Sequence, residues 1–180
     1  MNPLAFALFF HFLGLVGLFV GYGLEWTASS LLRRATTADQ ARTWLGIYRK
    51  SLMVSGPGLL VLIISGFYMA SLTGAMRMPW MSASMLGVIL ALLIGFALLM
   101  PRFKKVKSAL PDGSTNLNDA ALARVRDPLI VTLIRTRFLL ALGIVYLMTL
   151  KPEGFPLSMT VLLVSIVLGV LCAASSWKKA

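Results

Sequence analysis

The chain has 180 residues, 58% of them hydrophobic and 13% charged, with a mean hydropathy of +0.86. That excludes a soluble domain and describes an all-α polytopic membrane protein. The net charge of +11 would suggest nucleic acid in a soluble protein, but Lys and Arg lie almost entirely in two loops and the C-terminus. This is the positive-inside pattern, so the expected partner is a lipid bilayer and not nucleic acid.

The first span covers about residues 4–24. Ala5 to Leu24 carries no charge and is long enough to cross a hydrocarbon core of ~30 Å at ~1.5 Å per residue. Nothing basic precedes it, and its apolar core exceeds the ~7 to 15 residues of a signal peptide, so it is expected to stay in the mature protein. It holds His11, the only histidine of the chain, with Gly14, Gly17, Gly21 and Gly23 behind it and Glu25 at its end. Stepping ~100° per residue, Gly14, Leu18, Gly21, Tyr22 and Glu25 return to within roughly 80° of the His11 direction. One face is therefore small, flat and polar. Such a face admits the backbone of another helix or a flat ligand. An ionisable residue inside a span is a functional-site hypothesis from the outset.

A cationic loop follows, with Arg33, Arg34, Arg42, Arg49 and Lys50 against Glu25 and Asp39. Thr37 and Gln40 have capping-box spacing, and Trp44, Leu45, Ile47 and Tyr48 make an apolar stripe. The pattern predicts an interfacial helix running into the second span, with Trp44 and Tyr48 at headgroup level. The second span, about 52–72, opens with Ser55-Gly56-Pro57-Gly58, where a kink is expected. The third, about 80–100, has no charge and reads as a packing helix. A second cationic loop carries Arg102, Lys104, Lys105, Lys107, Arg124 and Arg126, with a Pro111-Asp112-Gly113 turn. Asn116 or Asn118 is placed to cap a short helix ahead of Asp127-Pro128. The fourth span, about 129–150, contains Arg135 and Arg137, which point in nearly opposite directions on a helix. One is expected to snorkel to the headgroups, the other to pair with Glu25 or an anionic ligand. The fifth span, about 157–175, ends before Trp177-Lys178-Lys179. All of residues 1–180 read as a single integral membrane domain.

The chemistry-bearing residues are few. His11 suits a metal or haem-iron ligand or a proton transfer group, and equally a histidine hydrogen-bonded to a neighbouring helix. With one histidine, a bis-histidine haem within one subunit is excluded. Met69, Met76, Met78, Met81, Met85, Met148 and Met159 fall near the outer ends of spans, a composition suited to Cu(I) or to adaptable packing. The one cysteine, Cys172, excludes an intrachain disulfide and reads as structural. No acidic residue is expected mid-membrane, which argues against an ion-coupled transporter. No nucleophile–base pair, phosphate loop or zinc motif is present, so hydrolase and ATPase readings have no residues to use.

His11-Phe12-Leu13-Gly14, Tyr48 ahead of Gly56-Pro57-Gly58, the basic run after the third span, Asp127-Pro128 and Lys151 together resemble HemJ-type protoporphyrinogen oxidases and related small bacterial integral membrane proteins. The resemblance implies a helical bundle of the bacterial inner membrane and, for His11 alone, a role in binding b-type haem. The third span lacks the histidine and lysine of that family, which implies a distant relative without the oxidase activity. Two functions follow as expectations. One is a redox protein holding haem b or a porphyrin through His11 as metal ligand, with Gly14 and Gly21 as the ring's seat and Arg135 for an anionic group. The other is a non-enzymatic scaffold, a homo-oligomer or accessory subunit, whose glycine face binds a partner helix; copper on the outer methionines is a further alternative.

The charges set the expected topology. Of seventeen Lys and Arg, the first long loop has five, the second six and the tail two, against one in each short loop. The N-terminus is then outside and the C-terminus cytoplasmic. A C-terminal fusion to a phosphatase that is active only when exported should therefore be silent, and activity would reverse the assignment.

Overall fold

The computed structural model describes residues 2–112 and 116–177. The Gly113 end of the expected turn and the lysines after Trp177 lie outside the described residues. Seven α-helices follow one another: α1 (Pro3–Leu32), α2 (Ala38–Thr73), α3 (Pro79–Leu93), α4 (Met100–Ala109), α5 (Asp119–Val125), α6 (Pro128–Leu150) and α7 (Phe155–Trp177). A π-helical turn, Ile94–Leu99, joins α3 to α4. Five helical stretches are long and apolar enough to cross a membrane: α1, α2, α3 continued into α4, α5 with α6, and α7. Among the described residues there is no strand, only one bridge between Thr37 and Asn116.

The helix starts follow the sequence signals. Asn2 accepts from the Leu4 N–H ahead of Pro3, Asn118 from Ala121, and Asp127 from Leu129 ahead of Pro128. Thr37 accepts from the Gln40 N–H at 3.4 Å, while Gln40 Oε1 reaches back to the Thr36 N–H at 3.0 Å. The ends are αL residues: Gly74, with φ 71°, closes α2 and Lys151, with φ 48°, closes α6.

α2 runs from the first cationic loop through Pro57 to Thr73, so the helix that starts there does run on into the second span, as expected. Several expectations are corrected. Tyr48 is buried, and its ring stacks on Phe103 of α4 at 3.6 Å. Arg102, Lys104, Lys105 and Lys107 lie on α4, because the third spanning helix continues past Met100 to Ala109. The two cationic segments close over a core of Leu32, Ala38, Leu99, Phe103, Val106, Ala121 and Val125, tied together by the Leu117 N–H to Thr36 carbonyl bond. Glu25 is not at the end of its helix: α1 runs on to Leu32, and Glu25 is only 1% exposed. The interior therefore does contain an acid.

α1 and α2 form the most extensive helix pair, followed by α6 and α7, while α3 packs on α6 and α7. Lipid supplies no hydrophobic force between helices, so close backbone contact has to hold them. Gly14 and Gly21 of α1 meet Ser51, Ser55 and Gly58 of α2: a Cβ at Gly14 would stand 2.8 Å from the Gly58 carbonyl oxygen, and one at Gly21 2.9 Å from that of Ser51. The opposite face of α1, including Phe9, Phe12 and Val16, is exposed, as a lipid-facing surface must be.

Gly58→Ala should break this seam. Its methyl would stand 2.7 Å from the Leu18 nitrogen and 2.9 Å from the Gly14 oxygen, backbone atoms that cannot yield locally. A loss of ~1–3 kcal/mol is expected, read as a lower Tm in detergent. Gly56→Ala, whose methyl meets nothing within 4 Å, should leave Tm unchanged or slightly higher. Equal losses in the two variants would refute the seam.

Candidate functional site

A cavity of about 310 Å³ lies between α1, α2, α3 and α6, at the end of the bundle away from the basic segments. His11, Leu18 and Tyr22 line it from α1, Leu62, Gly66 and Phe67 from α2, Met81, Ser84, Met85 and Ile89 from α3, and Ala141 and Met148 from α6. α2 and α3 are consecutive spans but scarcely touch. Phe67 and Ile89, one on each, line the cavity and are 40% and 52% exposed. The cavity therefore opens sideways between α2 and α3, toward the surface that faces lipid.

His11 is held at this wall by α2. Its Nδ1 is 3.1 Å from Ser65 Oγ, and its ring lies over Gly66, where a Cβ would come within 3.2 Å of Cε1. The Ser65 hydroxyl has one proton, which it donates to the Val61 carbonyl at 2.6 Å. With its proton on that carbonyl, Ser65 accepts from the Nδ1–H tautomer of His11, the form in which Nε2 keeps a lone pair. A histidine oriented in this way by a neighbouring oxygen is how proteins prepare an imidazole to bind a metal or accept a hydrogen bond. Ser84 Oγ, on the cavity wall and 1% exposed, has no hydrogen-bond partner among the described residues. A buried hydroxyl left unpaired costs free energy and marks a place for a polar ligand atom.

Of the expected site residues, only His11 lies on the cavity. Gly14 and Gly21 face the α2 backbone, so the room expected there for a ring is filled by a helix. Arg135 does not line the cavity: Nη1 donates to the Cys172 carbonyl of α7 at 2.5 Å, and the guanidinium covers Trp26 at 5.0 Å. The two arginines do not diverge, since Arg137 also reaches α1. It pairs with Glu25 and lies 4.5 Å over the Tyr22 ring. Its Nη1 occupies the space that a Cβ on Gly95 would need, inside the π-helical turn. Pairing of Glu25 with one of these arginines was legible in the sequence; the part played by Gly95 was not. Ser65, Gly66 and Ser84 were also missed, although polar or small residues in midspan are the signal that marks them. Met81, Met85 and Met148 come together on the cavity, whereas Met69, Met76, Met78 and Met159 do not line it.

Fold and site define a multi-pass helical membrane protein with a laterally open apolar cavity and one oriented imidazole. The family model described as a predicted integral membrane protein, DUF2269, matches residues 7–152, a stretch that contains every cavity-lining residue, and the chain belongs to that family. No curated protein and no solved structure matches the chain.

The Glu25–Arg137 pair generates a prediction independent of any ligand. Glu25→Gln leaves a buried guanidinium without its counter-charge, and Arg137→Gln does the converse, so each should cost about 3–5 kcal/mol. The double variant should lose clearly less than the sum, by ~0.5–3 kcal/mol in thermal unfolding. Strict additivity would mean the two groups are not coupled.

Proposed function

We propose that the protein binds a flat hydrophobic cofactor inside the bilayer, reached from the lipid between α2 and α3, with His11 Nε2 as its anchoring contact. The observation that carries this is the Val61–Ser65–His11 chain of hydrogen bonds, which leaves Nε2 with a lone pair at the wall of an apolar cavity. The unpaired Ser84 hydroxyl on the same cavity supports a ligand with a polar edge.

Haem b is the cofactor we infer. Imidazole and thioether are a known axial pair for haem iron, and Met81, Met85 and Met148 share the cavity with His11. Tyr22, on the cavity wall, lies under the Arg137 guanidinium. The volume is at the low end of the ~300–1,000 Å³ of ligand sites, so a full porphyrin requires the methionine side chains, each with three rotatable bonds, to swing aside. Bound haem would supply one-electron redox chemistry. His11 would ligate, Ser65 would fix its tautomer, and the aliphatic walls would exclude water. The likeness to HemJ-type proteins in the first helix supports the same reading, in a bacterial inner membrane.

A second reading, Cu(I), is favoured by the gathering of three thioethers and one imidazole on one cavity. The glycine face that the scaffold reading assigned to a partner helix is packed on α2, so a scaffold role would use another face of the bundle.

The test is the reduced-minus-oxidised spectrum and the metal content of protein purified from cells supplied with haem precursor. A Soret band that is lost in His11→Ala and weakened severalfold in Ser65→Ala is expected. No Soret band, with stoichiometric copper lost in His11→Ala, would replace haem by copper. Colourless, metal-free protein would refute both.

A further inference from the structure

At the cationic end of the bundle a second cavity, about 300 Å³, lies between α4 and the start of α6. Arg102, Lys105, Arg124 and Asp127 line it, with Val106 and Leu129 on its apolar side. Three cations thus face one carboxylate, and that carboxylate is already engaged. Its Oδ1 accepts from the Leu129 N–H at 2.9 Å and its Oδ2 stands 3.6 Å from Arg102 Nε. Among the described residues, Lys105 and Arg124 form no ion pair.

The surroundings add positive charge. Arg33, at the end of α1, has Nη1 buried with no hydrogen-bond partner among the described residues. Burial, and then the neighbouring Arg135 and Arg126, hold its guanidinium below its ordinary pKa, with Asp127 alone opposing them. α6, 23 residues long, begins here and points the positive end of its dipole the same way. A cluster of cations that share a single carboxylate is stabilised by an added anion. The excess of two positive charges on the cavity wall matches the ~−1.5 to −2 of a phosphate monoester. Pro101 and Leu129 border the cavity where the uncharged stretches of the third and fourth spanning segments give way to basic residues.

We propose that this cavity is a phosphate-binding site, with Lys105, Arg124 and Arg102 as its donors. The shared chemistry is a phosphate group, carried either by an anionic phospholipid headgroup or by a soluble phosphate.

The full chain in neutral detergent is heated with phosphatidic acid in mixed micelles, with phosphatidylcholine in the same micelles, or with inorganic phosphate, and unfolding is followed by tryptophan fluorescence. Protection is expected from phosphatidic acid and not from phosphatidylcholine. Lys105→Gln with Arg124→Gln should need roughly thirtyfold more of it for the same protection, at ~1 kcal/mol per charge removed. The unliganded Tm should be unchanged, and Arg49→Gln with Lys50→Gln, an equal charge change elsewhere, should have no effect. Protection by inorganic phosphate with the same sensitivity to the double variant supports the site and makes a soluble phosphate its source. No protection from either, or protection as strong in the Lys105 and Arg124 double variant as in the unaltered chain, or as weak in the Arg49 and Lys50 double variant as in the site variant, would refute it: the charges would then act only as a diffuse surface.

Discussion

The contact on which the rest depends is backbone against backbone, Gly14 and Gly21 of α1 on Ser51, Ser55 and Gly58 of α2. In lipid an apolar side chain gains little by leaving its solvent for a protein neighbour, so helices are held by close dispersion contacts and by polar bonds. Glycine and serine remove the side-chain spacer and let both operate. This seam fixes the register of α1 on α2, and so brings His11 over Gly66 and within 3.1 Å of Ser65. A shift of one residue would turn the imidazole by ~100° and remove it from the cavity.

The second constraint is a charge that lipid would not tolerate alone. Glu25 and Arg137 are both almost fully buried, and each makes the other's burial possible. Their pairing joins α1 to α6, and the guanidinium is admitted by a glycine in the π-helical turn of the third spanning segment. π-turns recur at functional positions because they displace the ladder locally. Here the displaced stretch receives a cation. Seam and ion pair together bind α1 to both of its neighbours, while α3 is held by α6 and α7, which leaves α2 and α3 apart and the cavity between them.

The two ends of the bundle differ in kind. One has an apolar chamber with an oriented imidazole, an unpaired hydroxyl and three thioethers. The other has helices α4 and α5 folded over an aliphatic core, with cations in excess around Asp127. A hydrophobic ligand from the membrane suits the first, and a phosphate the second.

Much was determined by the sequence alone, because the signals concerned are local. Five apolar stretches require five spanning helices, since lipid leaves no other way to satisfy the backbone. A cap at Asn116 or Asn118, of which Asn118 serves, the helix start at Pro128, the capping pair Thr37 and Gln40, and the interest of His11 needed only neighbouring residues. The coupling of Glu25 to an arginine followed from the cost of a lone buried charge. What the tertiary structure decided was everything set by which helix lies beside which. The glycine face could seat a ring or a helix, and α2 takes it. Arg135 could snorkel or bind, and a carbonyl of α7 receives it. Seven methionines looked alike, and three reach the cavity. Periodicity reports the direction of a side chain from its own helix axis, but the neighbour in that direction depends on register and packing between segments far apart in the chain.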